Sequence, residues 1–109
     1  MTTLINSSCE ESPKLLNESE INTFLSQISN WNFDKENNKI FNEYQFKNYY
    51  STIAFINAAA WIIHQENHHP DITFGYNKCN IEFSTHSIKG LSKNDFICAA
   101  KINQLIFTS

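Results

Sequence analysis

The sequence predicts an α+β domain: a four-stranded antiparallel sheet with helices packed on one face, in the order α-β-β-α-β-β-α. Three observations carry this. Two stretches alternate apolar and polar residues on both sides of a short polar turn, the pattern of a β-hairpin. Three others repeat their apolar residues at helical spacing. A chain of 109 residues also has room for one core and not two.

The elements follow in order. Residues 1–16 are polar, with Ser7, Ser8, Ser12 and Pro13 and no sustained period, and are expected to be a flexible lead-in to a single domain over residues 17–109. Asn17 and Glu20 have the spacing of a capping box, and Ile21, Phe24, Leu25 and Ile28 then form one apolar stripe on a first helix. Trp31 and Phe33, a turn at Asn37-Asn38, and Ile40, Asn42, Tyr44 and Phe46 make the first hairpin.

From Lys47 to about Asn67 the period becomes helical. Tyr50, Ile53, Ala54, Ala58 and Trp61 mark one face and Ile56, Ala60 and Ile63 another. A helix apolar on nearly every side needs more than one cover, so one side is expected on the sheet and the other on a second copy, with Ala58-Ala59-Ala60 permitting close approach. Pro70 is expected to end the helical region and to hold His69 extended. Ile72, Phe74 and Tyr76, a turn at Asn77-Lys78, and Cys79, Ile81, Phe83 and Thr85 form the second hairpin, whose parity puts His86 on the less apolar face. After Gly90, Ser92 and Asp95 repeat the capping-box spacing, and Phe96, Ala99, Ala100, Asn103 and Phe107 face one way on a closing helix.

Composition narrows the function. An apolar share of 41%, with nine Phe, describes a folded chain. A net charge of -3 offers no basic footprint for phosphate backbones or anionic lipid, so no direct nucleic-acid partner is expected. Cys9, Cys79 and Cys98 are odd in number and show no paired spacing, which argues against a disulfide framework and a thiolate zinc site. They read as buried apolar side chains in a reducing cytoplasm. The N-terminus has no basic-then-apolar leader, and no run approaches the ~18 apolar residues of a membrane span, so no membrane partner is expected.

His68 and His69 adjoin the end of the long helix, and His86 follows a strand later. Imidazole titrates near neutrality, so such a set can protonate one group and deprotonate another. Neighbouring side chains of an extended segment diverge, which gives His68 and His69 different roles. A metal alternative also fits the count: His64 and His68 stand four apart and His86 could be a third zinc ligand. Gln65, Glu66 and Asn67 intervene, however, without the glutamate position of a zinc protease helix. For Trp31 and Trp61 a core role weighs equally with stacking on a substrate, and Asp95 reads equally as a helix cap.

Taken together, His68-His69-Pro70, Tyr76-Asn77-Lys78, Ser84-Thr85-His86, Gly90-Leu91-Ser92 and Asp95, with Trp31-Asn32 and Phe46-Lys47 upstream, resemble the pterin-4a-carbinolamine dehydratase family over about residues 15–107. The resemblance implies loss of water from a 4a-hydroxytetrahydropterin to give the quinonoid dihydropterin, a step of tetrahydrobiopterin recycling, with neither metal nor cofactor. It implies His68 and His86 as general acid and base, His69 as the residue orienting the ring, and Asp95 as a carboxylate behind them. Ser84, Thr85 and Trp31 are the further substrate-binding candidates. Many relatives carry glutamate where this chain has His64. The resemblance also implies an oligomer, a dimer or tetramer. Some relatives serve as protein-binding cofactors of transcription, which leaves a non-catalytic binding module as the alternative.

Overall fold

The computed structural model describes residues 3–105. Helix α1 (Glu18–Leu25) starts at a reciprocal cap: the Asn17 side chain accepts the Glu20 N–H at 2.8 Å, and the Glu20 carboxylate accepts the Asn17 N–H at 3.0 Å. Strands β1 (Asn32–Asp34) and β2 (Lys39–Gln45) pair antiparallel, with Asn32 opposite Phe41. Asn38 supplies the left-handed residue of their turn, at φ 53°.

Helix α2 (Tyr49–Glu66) is capped by the Asn48 side chain on Ser51 N–H. Its end corrects the expectation built on Pro70. Asn67 takes the left-handed conformation at φ 51° and stops the helix three residues before the proline. Strands β3 (Asp71–Phe74) and β4 (Lys78–Phe83) follow, and the sheet order is β1-β2-β4-β3, antiparallel throughout. Beyond β4 lies a single 3-10 turn, His86–Ile88, pinched by the Thr85 N–H on the Gly90 carbonyl at 2.8 Å. Helix α3 (Lys93–Asn103) closes the fold from the predicted Ser92 and Asp95 capping box. Phe107, expected on this helix, lies outside the described residues.

The alternation read from the sequence becomes the core. Ile40, Cys79, Ile81 and Phe83 point to one face of the sheet and are fully buried under the helices, with Phe96, Cys98 and Ala99 of α3 opposite them. Helix α2 divides differently from the expectation. Thr52, Phe55, Ala59 and Ile63 are its buried stripe, and Thr52 is tolerated there because its hydroxyl donates to the Tyr76 carbonyl at 2.9 Å. The Tyr50, Ala54, Ala58 and Trp61 face stays open, with Tyr50 82% and Trp61 61% exposed.

The stretch expected as a flexible lead-in lies against the helices. Leu4 and Leu16 are buried, and the Leu16 N–H donates to the Leu91 carbonyl at 2.9 Å. Glu10 exchanges two bonds with the Asn94 side chain, and the Cys9 N–H donates to Glu66 at 2.9 Å. The packed body therefore begins upstream of residue 17. Among the described residues, no helix is long and apolar enough to cross a membrane.

Candidate active site

Asp95 is the origin of the site. As the third residue of α3 it accepts the Ser92 N–H at 2.9 Å on Oδ2, and the same oxygen accepts the Thr85 hydroxyl at 2.8 Å. The second oxygen, Oδ1, is 2.6 Å from Nε2 of His68. Asp95 is fully buried and every buried side-chain polar atom among the described residues has a partner, so this group of side chains is closed.

The direction of these bonds fixes a tautomer. Thr85 spends its single hydroxyl hydrogen on Asp95, so in the 2.8 Å contact between the two hydroxyls Ser92 donates to Thr85. The carboxylate accepts throughout, which assigns the hydrogen of the third contact to Nε2 of His68. Its Nδ1 is left as the ring nitrogen without a hydrogen-bond partner among the described residues. The imidazole lies parallel to the Phe83 ring, at 7° and 5.7 Å between centroids, so one face is packed while the side chain keeps 13% of its surface.

His86 has none of this support. It is exposed on the 3-10 turn and lines a cleft of about 290 Å³ with Ser84, Thr85, Lys89 and Gly90 on one side and Asn37 and Asn38 of the first hairpin on the other. Thr85 belongs to both arrangements: it lines the cleft and holds Asp95. His69 is exposed beside His68, and Ser84 is half-buried at the cleft. The structure thus brings His68, Thr85 and Asp95 into direct contact and puts Ser84 and His86 on the adjoining cleft.

Trp31 is not part of this cleft. At 5% exposed it has little surface left for a ligand; its ring packs on Tyr44 and Phe83, and its indole N–H donates to Asn103 at 3.0 Å. Tyr44 donates to the same Asn103 oxygen at 2.6 Å, and burial pushes its phenol up to about 12. Of the zinc alternative, His64 is exposed beside Trp61 and His68 is engaged with Asp95. Among the described residues no group of three or more His, Cys, Asp or Glu could hold a metal ion.

Glu66, the last residue of α2, ties the helix end to Cys9 and to Lys101 of α3. Burial raises its carboxyl, but the Lys101 ammonium at 2.7 Å and the Cys9 N–H at 2.9 Å outweigh that and hold it below the ordinary glutamate value. Ser92 and the Asn37-Asn38 wall had not been singled out as site residues. Ser92 carried a signal, the capping-box spacing to Asp95. The Asn37-Asn38 turn carried none, because its place depends on the pairing of β2 with β4, which sets Ile40 opposite Phe83.

Known proteins resemble the chain over most of its length. The family model described as pterin 4 alpha carbinolamine dehydratase matches residues 14–105. The chain is 55% identical over 97 residues to a Nitrosospira multiformis protein provisionally named pterin-4-alpha-carbinolamine dehydratase, covering 89% of this chain and 84% of that one. A Legionella pneumophila protein of the same provisional name is 48% identical over 100 residues, 91% of this chain and 88% of its own. Among solved structures, a transcriptional coactivator/pterin dehydratase from Brucella melitensis superposes with a TM-score of 0.81 at 28% identity, over 84% of this chain and 98% of that one. A pterin dehydratase-like protein described as a RuBisCO assembly factor in the alpha-carboxysome superposes at 0.62 and 25% identity, over 72% and 92%. With a family match spanning most of its length and relatives near half identical, the chain belongs to the pterin 4 alpha carbinolamine dehydratase family.

Proposed function

We propose that the protein dehydrates a 4a-hydroxytetrahydropterin to the quinonoid dihydropterin, by proton transfer between the substrate and two histidines. The observation that carries this reading is the 2.6 Å contact of His68 with a buried carboxylate that is itself fixed by Thr85 and Ser92. Such a carboxylate orients the ring and stabilises the imidazolium formed when Nδ1 takes a proton. His68 removes the proton from the pterin ring nitrogen. His86, exposed at the cleft, delivers a proton to the departing 4a-hydroxyl, which leaves as water. His69 and Ser84 hold the ring, and Thr85 couples the cleft to Asp95.

Dehydration of freshly generated 4a-hydroxytetrahydropterin, followed by ultraviolet absorbance, tests the reading. Wild type accelerates the reaction and His86→Ala loses most of the acceleration. A rate equal to the spontaneous one with wild-type protein overturns the enzyme reading and favours a binding module, in line with the assembly-factor and coactivator names among its structural relatives.

The open face of α2 supports self-association. Tyr50, Ala54, Ala58 and Trp61 form a continuous apolar stripe along it, with alanines at its centre that admit a second helix closely. Sedimentation at micromolar concentration reads a dimer or tetramer that Trp61→Asp converts to monomer. Monomer alone in the wild type refutes the assembly.

A further inference from the structure

Cys9 and Cys98 are 89 residues apart in sequence, and their sulfurs are 3.6 Å apart. Neither has a part in the proposed dehydration. The approach is held from both sides: the Cys9 N–H is fixed on Glu66, and the next residue, Glu10, both donates to and accepts from the Asn94 side chain on α3. Cys9 Sγ also lies 3.6 Å from the Asn94 carbonyl. Cys98 is fully buried on α3, one turn beyond Asp95, while Cys9 is half-buried on the N-terminal strap.

We propose that Cys9 and Cys98 form a reversible thiol–disulfide site, oxidised by a hydroperoxide and reopened by a dithiol. A disulfide needs its sulfurs ~2 Å apart, so from 3.6 Å the pair must close by roughly 1.5 Å. The two thiols differ in exposure, which orders the steps. The contact with Cys9 and burial hold the Cys98 thiol above its ordinary value, so Cys9 meets the oxidant and Cys98 resolves it.

The Cys9 thiolate attacks one peroxide oxygen. The O–O bond breaks, the departing oxygen leaves as water after taking a proton, and Cys9 becomes a sulfenic acid. The Cys98 sulfur then attacks the Cys9 sulfur; the S–S bond forms, the S–O bond breaks, and the hydroxide leaves as a second water with the Cys98 proton. Two thiols and one hydrogen peroxide give one disulfide and two waters. The product ties the strap to the helix that carries Asp95 and closes most of the chain into one loop.

Oxidation of the reduced full-length chain with hydrogen peroxide, then intact mass and non-reducing peptide mapping, tests the proposal. The expected product is a monomer lighter by two hydrogen atoms in which the Cys9 and Cys98 peptides are joined, reversed by dithiothreitol. Its melting temperature rises by at least about 5 °C over the reduced form, since a cross-link closing so long a loop restricts the unfolded chain strongly. Cys9→Ser abolishes both the link and the rise, and Cys79→Ala preserves both. Unreacted thiols, sulfinic acid at Cys9 without a link, a dimer joined through Cys9, or a link that includes Cys79 each overturn it.

Discussion

In the candidate site, His68 on what we call its wall and His86 on its rim carry the same side chain in opposite settings. On the wall, the imidazole is pressed on Phe83 and tied to Asp95, which in turn caps α3 and holds Thr85. On the rim, His86 stands exposed on a single 3-10 turn, above a cleft whose far side is the tip of the first hairpin. The wall is therefore built from atoms that also hold the fold together, whereas the rim can change without disturbing it. Substitutions on the wall should lower stability and activity together, and those on the rim activity alone.

The largest effect is expected at Asp95. Asp95→Ala leaves the buried Ser92 N–H and the His68 N–H without their acceptor, at a cost of about 2–4 kcal/mol in urea unfolding and with loss of most dehydration. His68→Ala removes one donor from Asp95 and opens space over Phe83, costing about 1–2 kcal/mol while lowering turnover ~10²-fold. His86→Ala should match that fall in turnover with stability inside about 0.5 kcal/mol of wild type. If His86→Ala unfolds as readily as Asp95→Ala, wall and rim are one structure and the distinction fails.

The same contrast explains what was legible in the sequence. The helix caps at Asn17 and Ser92, the alternation of β2 and β4 and the element order are local signals, and each survives in the structure because side chain and backbone meet within a few residues. The histidine pair and Asp95 were legible as motifs, but the contact of His68 with Asp95 was not, since it joins the segment after α2 to the first turn of α3 across 27 residues of sequence. Trp31 shows the limit from the other side: an aromatic beside a strand looks alike as core or as platform, and only its packing against Phe83 and Asn103 decides. The strap was missed because its anchors, Glu66, Leu91 and Asn94, are distant in sequence, while its own composition is that of a loop.

Glu66 sharpens the comparison from the strap side. Its folded carboxyl sits below the ordinary value, so the stability it contributes is complete above the normal glutamate range and is lost as pH falls through the folded value. Glu66→Gln should remove this acid-side slope from the melting temperature between neutral pH and about pH 3, while retaining a carbonyl to accept the Cys9 N–H. An unchanged slope would mean that Lys101 and Cys9 do not favour the ionised form, and that the strap is docked by its leucines and by Asn94 without help from that charge.

The smallest effect is expected at Gly90, where strap and rim meet. A Cβ added there would come within 2.6 Å of Leu15 Cδ1, a contact too short to persist. The colliding atom is the end of a side chain that is 53% exposed, so Leu15 can turn into solvent, and Gly90 does not adopt a positive φ that an alanine would resist. Gly90→Ala should therefore cost less than about 1 kcal/mol in urea unfolding. A loss as large as that at Asp95 would mean that Leu15 cannot yield: the strap would then be fixed as firmly as the wall, and the rim would inherit the rigidity that its exposure denies it.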